Sequence, residues 1–139
     1  MDGGVVTFIV AILIVAVLVF LAILLTGKRG YHFDVRVYQS KILSIEHKLQ
    51  QTNPASYVTT IIECDKLLDK AMIEMGAPGK TMGERLKRLS ERFTNPNAVW
   101  RAHKLRNTIA HESGVEVSYK QASNALVVYK QALKDLGAI

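Results

Sequence analysis

Asn53–Gly76, NPASYVTTIIECDKLLDKAMIEMG, reads as one complete helix with its start and stop written in. Asn53 can cap the first free N–H groups, and Pro54 suits the first helical position, where its missing N–H needs no partner. Val58, Ile61, Leu68, Met72 and Met75 recur at helical spacing on one face, and Gly76 ends the run. Asp65 falls on that same apolar face. A carboxylate buried alone is costly, so the pattern predicts a basic side chain of the bundle beside it, Arg106 being the first choice.

The same logic extends in both directions. Asp34 to Gln51 carries Val35, Tyr38, Ile42, Ile45 and Leu49 at spacings of three and four, an apolar stripe too short for a coiled coil. Packing against the following helices, or a dimer contact, would bury it. Gly76–Gly79 is a loop. Thr81 and Glu84 have the form of a capping box and open a short helix to about Arg92. Asn95–Pro96 repeats the cap-and-proline start, and that helix runs to His111 or Glu112, with Gly114 beyond. Ser118 caps a last helix striped by Tyr119, Ala122, Leu126, Tyr129, Leu133 and Leu136. No strand-like alternation competes over a useful length. The fold class is therefore all-α, with an antiparallel bundle of four to five helices.

Val5 to Leu25 is an uncharged apolar run. As a helix its length would be roughly 31 Å, the thickness of a hydrocarbon core. A cleaved signal peptide fits poorly: the run is long, Asp2 stands before it without Lys or Arg, and no small-residue cleavage site follows. Lys28, Arg29, Arg36 and Lys41 come after it, so the positive-inside rule places the N-terminus outside and the C-terminal part in the cytoplasm. The organisation expected is an anchor over residues 1–27, a juxtamembrane segment with the first amphipathic helix over 28–53, and a helical bundle over 54–139. A lone Cys64 among apolar residues suits a reducing compartment and a buried, inert thiol.

The chain carries a formal charge of +6, and everything basic lies after Gly27. Arg85, Lys87, Arg88, Arg92, Arg101, Lys104 and Arg106 face only Glu84 and Glu91 in the same window. Such a cluster serves a solvated surface, anionic lipid headgroups or a polyanion such as RNA, and charge alone does not separate these. No His-x3-His pair, no cysteine cluster and no glycine-rich phosphate loop is present, so neither a metal nor a nucleotide cofactor is expected.

Trp100–Gly114, WRAHKLRNTIAHESG, holds the residues with the most chemistry. At 100° per residue, Ala98, Ala102, Leu105 and Ile109 share one side, the expected core face. His103, Asn107 and His111 fall opposite, with Trp100 beside them and Arg106 at the edge. Arginine grips phosphate in a planar fork, and histidine exchanges a proton near neutral pH. His111 also sits in the last turn, where the helix dipole favours its charged form; simple C-terminal capping is the alternative.

Arg106-Asn107-Thr108-Ile109-Ala110-His111 resembles the RN-x-x-x-H signature of HEPN domains, small helical bundles, and the surroundings from roughly Asp34 to Ile139 fit the same family. The resemblance implies a metal-independent endoribonuclease that works as a dimer through the Arg106–His111 helix. Arg106 would hold the scissile phosphate, His111 would act as general acid or base, and Asn107 would orient either. The products would be a 2′,3′-cyclic phosphate and a 5′-hydroxyl, and DNA would not be cut. Lys87, Arg88, Arg101, His103 and Lys104 are the expected RNA-binding residues. The alternative is a non-catalytic helical adaptor that dimerises at the cytoplasmic face of the membrane.

The charge asymmetry yields a direct expectation. A reporter active only outside the cytoplasm, fused after Ile139, should stay silent; strong activity would reverse the orientation.

Overall fold

The computed structural model describes residues 3–26 and 31–139, the side chains of 23–26 excepted. It divides into two compact units, 1–30 and 31–139. The first holds α1 (Gly3–Thr26). Within α1, Gly3–Ala22 has mean hydropathy 3.4 and is long and apolar enough to cross a membrane. Asp2, Lys28 and Arg29, which bear on orientation, lie outside the described residues, as do Gly27 and the Leu25 side chain.

The second unit contains α2 (Val35–Lys48), α3 (Pro54–Glu74), α4 (Met82–Arg88), a 3-10 turn at Ser90–Arg92, α5 (Pro96–His111) and α6 (Tyr119–Asp135). No strand occurs among the described residues. The sequence signals operate at nearly every boundary. Asp34 accepts from the Val37 N–H, Asn95 from the Ala98 N–H, and Ser118 forms a full capping box with Gln121. Thr81 caps Glu84, but the Glu84 carboxylate accepts from the Lys80 N–H at 2.7 Å, so only half of that expected box forms. Gly76 ends α3 at φ +76°, a backbone conformation that favours glycine.

Successive long helices alternate in direction. Tyr38 meets Glu74 and Lys48 meets Glu63, so α2 and α3 are antiparallel. Yet α3 packs most extensively against α6, and this pair is parallel: Tyr57 stands edge-on to Tyr119 at 5.8 Å, and further along Asp65 meets Tyr129. This parallel pair follows from the alternation, since α3 and α6 are the second and fourth of the long helices in chain order. Buried Ala71 on α3 and Ala122, Ala125 and Ala132 on α6 add little bulk at this contact. Ile61, Leu68, Met72, Tyr129 and Leu133 fill the core between them. The α2 helix belongs to the same unit, its Tyr38, Ile42 and Ile45 buried against the rest, so the division at residue 53 falls instead near residue 30. Val35 and Tyr119, each at the first position of its helix, are the two stripe residues left at 37% exposure.

Cys64 is fully buried, and burial first, then nearby carboxylates, pushes its thiol up to about 12, leaving it unreactive.

A buried ion pair fixes α4 on α3. Arg85 Nε and Nη2 each lie within 2.9 Å of Asp69, and Nη1 donates to the Gly79 carbonyl at 2.8 Å. Gly79 adopts φ +148°, and a Cβ there would lie 2.9 Å from the Arg85 backbone nitrogen. Arg85 therefore leaves the basic surface cluster in which the sequence placed it. Asp69→Ala strands a buried guanidinium; because the Asp69 side chain is 26% exposed, the expected loss is about 2–4 kcal/mol, toward the lower side of what a broken buried pair costs. Urea denaturation of the domain measures it.

Candidate functional site

The site grows from Asp65. Its position on α3 points the carboxylate into the bundle, where it is 3% exposed. Three side chains from two other helices meet it. Tyr129 of α6 donates its hydroxyl to Oδ1 at 2.8 Å. His103 Nδ1 of α5 approaches the same oxygen at 2.9 Å, and Arg106 Nε lies 3.3 Å from Oδ2. The Arg106 partner expected from sequence is present, but the contact is an ion pair without an aligned hydrogen bond, since Nε is buried with no acceptor in line. Burial, then the Asp65 charge and hydrogen bond, push the Tyr129 phenol well above its ordinary value, so it serves as a fixed donor.

Hydrogen-bond logic orders the remaining members. Arg106 Nη1 donates to Asn107 Oδ1 at 3.1 Å, and arginine cannot accept, so the amide oxygen must face it. The Asn107 amide nitrogen therefore donates to His103 Nε2, 3.2 Å away. His103 is then the neutral tautomer with its proton on Nδ1, directed at Asp65, an assignment that rests on the network. Both ring nitrogens are engaged.

This corrects the reading of α5. Val99, Ala102 and His103 are buried, while Ala98, Leu105 and Ile109 are only partly so. The inward direction is turned toward Val99, His103 and Arg106, because the polar pair is drawn to Asp65. His103, expected on the outer face as a substrate contact, is 8% exposed and held by Asp65 and Asn107, although it still borders the groove described below. Asn107 bridges the buried network to the surface.

The other expected residues fall on different surfaces. Trp100, Lys104, Arg106 and Asn107 line a groove of about 460 Å³ with Thr81, Met82 and Gly83. Lys87 and Arg88 border a neighbouring hollow with Pro78 and Glu84, and Lys87 reaches across to place Nζ 5.6 Å from the centre of the Trp100 ring. Arg101 lies apart, in a groove between α5 and α6 beside Leu105 and Val128. His111 is exposed and makes no hydrogen bond or ion pair with any described residue. Five helical positions separate Arg106 from His111, an angle of about 140°, so in one chain they do not converge.

Three contributors take places that the sequence reading did not give them. Tyr129 was one more apolar-stripe position, although its hydroxyl made it a natural partner for Asp65. His103 shares a three-four spacing with Val99 and Arg106, a legible inward stripe. Trp100 and its lysine become a pair only once α4 folds onto α5.

Among the described residues no three His, Cys, Asp or Glu side chains converge as metal ligands would. Arg106 and Lys104 bring two basic side chains to one groove, which suits an anion, and His111 presents an exposed imidazole, a group able to exchange protons. No protein-family model matches the chain, and comparisons with curated proteins and with solved structures found no match.

Asp65→Ala removes the acceptor of Tyr129 and His103 and the charge beside Arg106, and should cost about 3–5 kcal/mol, as expected when one partner of a buried pair is lost. A loss under about 1 kcal/mol by urea denaturation would show that water already satisfies the network. Tyr129→Phe, which deletes one neutral donor to a charged group, should cost about 1.5–3 kcal/mol.

Proposed function

We propose that residues 31–139 form a metal-independent endoribonuclease domain of HEPN type, held at a membrane by α1 with the domain on the cytoplasmic side. The observation that carries this reading is the state of Arg106. Its Nε lies against Asp65 and its Nη1 donates to Asn107, while the Nη2 amine has no hydrogen bond or ion pair among the described residues, and Arg106 is one of the side chains lining the Trp100–Lys104 groove. An arginine braced at its base and open at its tip is suited to hold a phosphate in fixed orientation. Arg106 binds the scissile phosphate and stabilises its developing charge, and His111 transfers a proton as the ribose 2′-hydroxyl attacks.

The divergence of Arg106 and His111 within one chain makes a second copy part of the proposal. Two α5 helices related by a two-fold axis bring the Arg106 of one beside the His111 of the other. No metal enters this chemistry, and the attacking 2′-hydroxyl restricts it to RNA.

The adaptor reading has its own support. Arg106 already has a carboxylate partner, and the exposed His111 side chain makes no hydrogen bond or ion pair with any described residue. A bundle that only dimerises and recruits a partner needs neither group for chemistry.

His111→Ala is the decisive variant, because the His111 side chain is exposed and has no hydrogen bond or ion pair among the described residues. It should lower RNA cleavage by about 10²–10⁴-fold and leave stability unchanged. Arg106→Ala should abolish cleavage as well, but it also exposes Asp65 to loss of its ion pair and must be accompanied by a stability measurement. Cleavage should persist in EDTA and spare 2′-deoxy substrates. A folded dimer that neither binds nor cuts RNA across a range of salt and sequence leaves the adaptor reading.

A further inference from the structure

We infer that Trp100 is a stacking platform for an unpaired base, so that the ligand of the α5 surface is single-stranded RNA; the inference rests on the RNA-directed reading above and adds its mode of recognition. Trp100 is the single tryptophan of the chain. Its ring is held from beneath. Gly83 of α4 carries no side chain, and a Cβ there would already lie 3.4 Å from Trp100 Cη2 and 3.5 Å from Cζ3, so the six-membered ring rests against the helix itself. The His103 ring, fixed by Asp65 and Asn107, stands 5.9 Å away at a 48° tilt. Rotation of the indole is therefore restricted before any ligand arrives, which lowers the ordering cost of binding.

Trp100 is half-buried and lines the groove described above. Lys87 is exposed, and its Nζ sits 5.6 Å from the ring centre, at cation–π distance. A base that slides onto the ring displaces this ammonium toward its own phosphate. Further phosphate partners are in register. Trp100, Lys104, Asn107 and His111 recur at spacings of four, three and four, which places them within about 60° on one stripe of α5 and over about 16 Å of its length. Arg106 borders the same groove. The stripe offers one aromatic ring followed by Lys104, an amide and an imidazole, with Arg106 beside them, and an aromatic ring next to basic side chains is the arrangement by which proteins take single strands. A duplex cannot use it, because its bases are already stacked on each other and the A-form major groove is too narrow for a side chain to read.

The lone tryptophan makes the site directly observable. Full-length protein in detergent micelles is titrated with a short single-stranded 2′-O-methyl oligoribonucleotide, which cannot be cut by 2′-hydroxyl attack, and with the same strand annealed to its complement. Saturable quenching of the indole emission by the single strand, with at least about tenfold weaker response to the duplex, is the expected result. By anisotropy of a labelled strand, Trp100→Ala should bind about 5- to 150-fold more weakly, while Trp100→Phe keeps most of the affinity. If Trp100→Ala fails to fold by circular dichroism, wild-type quenching and the phenylalanine variant decide. Binding with unmoved emission, equal quenching by duplex, or unchanged affinity in Trp100→Ala overturns the platform. Quenching without cleavage of ordinary RNA keeps the platform and overturns the nuclease reading; cleavage with a silent Trp100 does the reverse; absence of binding overturns both.

Discussion

A carboxylate that is 3% exposed cannot stand alone in an all-helical core, and much of the 31–139 domain is arranged around that constraint. Taking Asp65 out of water is worthwhile only when donors surround it. Tyr129 and His103 supply hydrogen bonds, and Arg106 supplies charge. These come from α6 and α5, so one acidic residue on α3 joins the three longest helices of the domain. Apolar packing alone tolerates small rotations and slips between helices. A buried carboxylate with three partners does not, because each displaced partner leaves an unsatisfied group.

The same network shapes the surface. Donor and acceptor roles run in one direction, from Arg106 through Asn107 and His103 to Asp65. His103 is consumed as a structural link, and Asn107 becomes the step between core and groove. Arg106 is left with Nε and Nη1 engaged and Nη2 without a hydrogen bond or ion pair among the described residues. A guanidinium fixed in this way differs from a surface arginine, which must surrender its side-chain freedom whenever it binds. Lys104 and Lys87 remain flexible and exposed, suited to attracting a polyanion but not to positioning one.

The apolar helix α1 and the domain solve separate physical problems. Every residue of Gly3–Ala22 is exposed, and the segment, long and apolar enough to cross a membrane, has no buried face of its own. Residues 31–139 have their own core and their own buried ion pairs. Confinement of such a domain at a membrane would raise the local concentration of second copies, which favours any site that needs two chains.

Helix identity and extent were legible from the residues because they are local properties. Asn53–Pro54 and Asn95–Pro96 start helices, Gly76 stops one, Ser118 caps another, and the apolar stripe of α6 from Ala122 to Leu136 is buried as its spacing implies. The apolar length of α1 and the burial of Asp65 with Arg106 beside it were legible for the same reason: an exception to a periodic pattern is visible in the pattern. What only the tertiary structure decided depends on how helices turn toward one another. The parallel pairing of α3 with α6, the rotation of α5 that buries His103, the capture of Arg85 by Asp69 and the seating of Trp100 on Gly83 all join residues far apart in the chain. A helical wheel sums apolar character and places His103 outside. The folded chain instead minimises the cost of one buried charge, and that cost turns α5 inward.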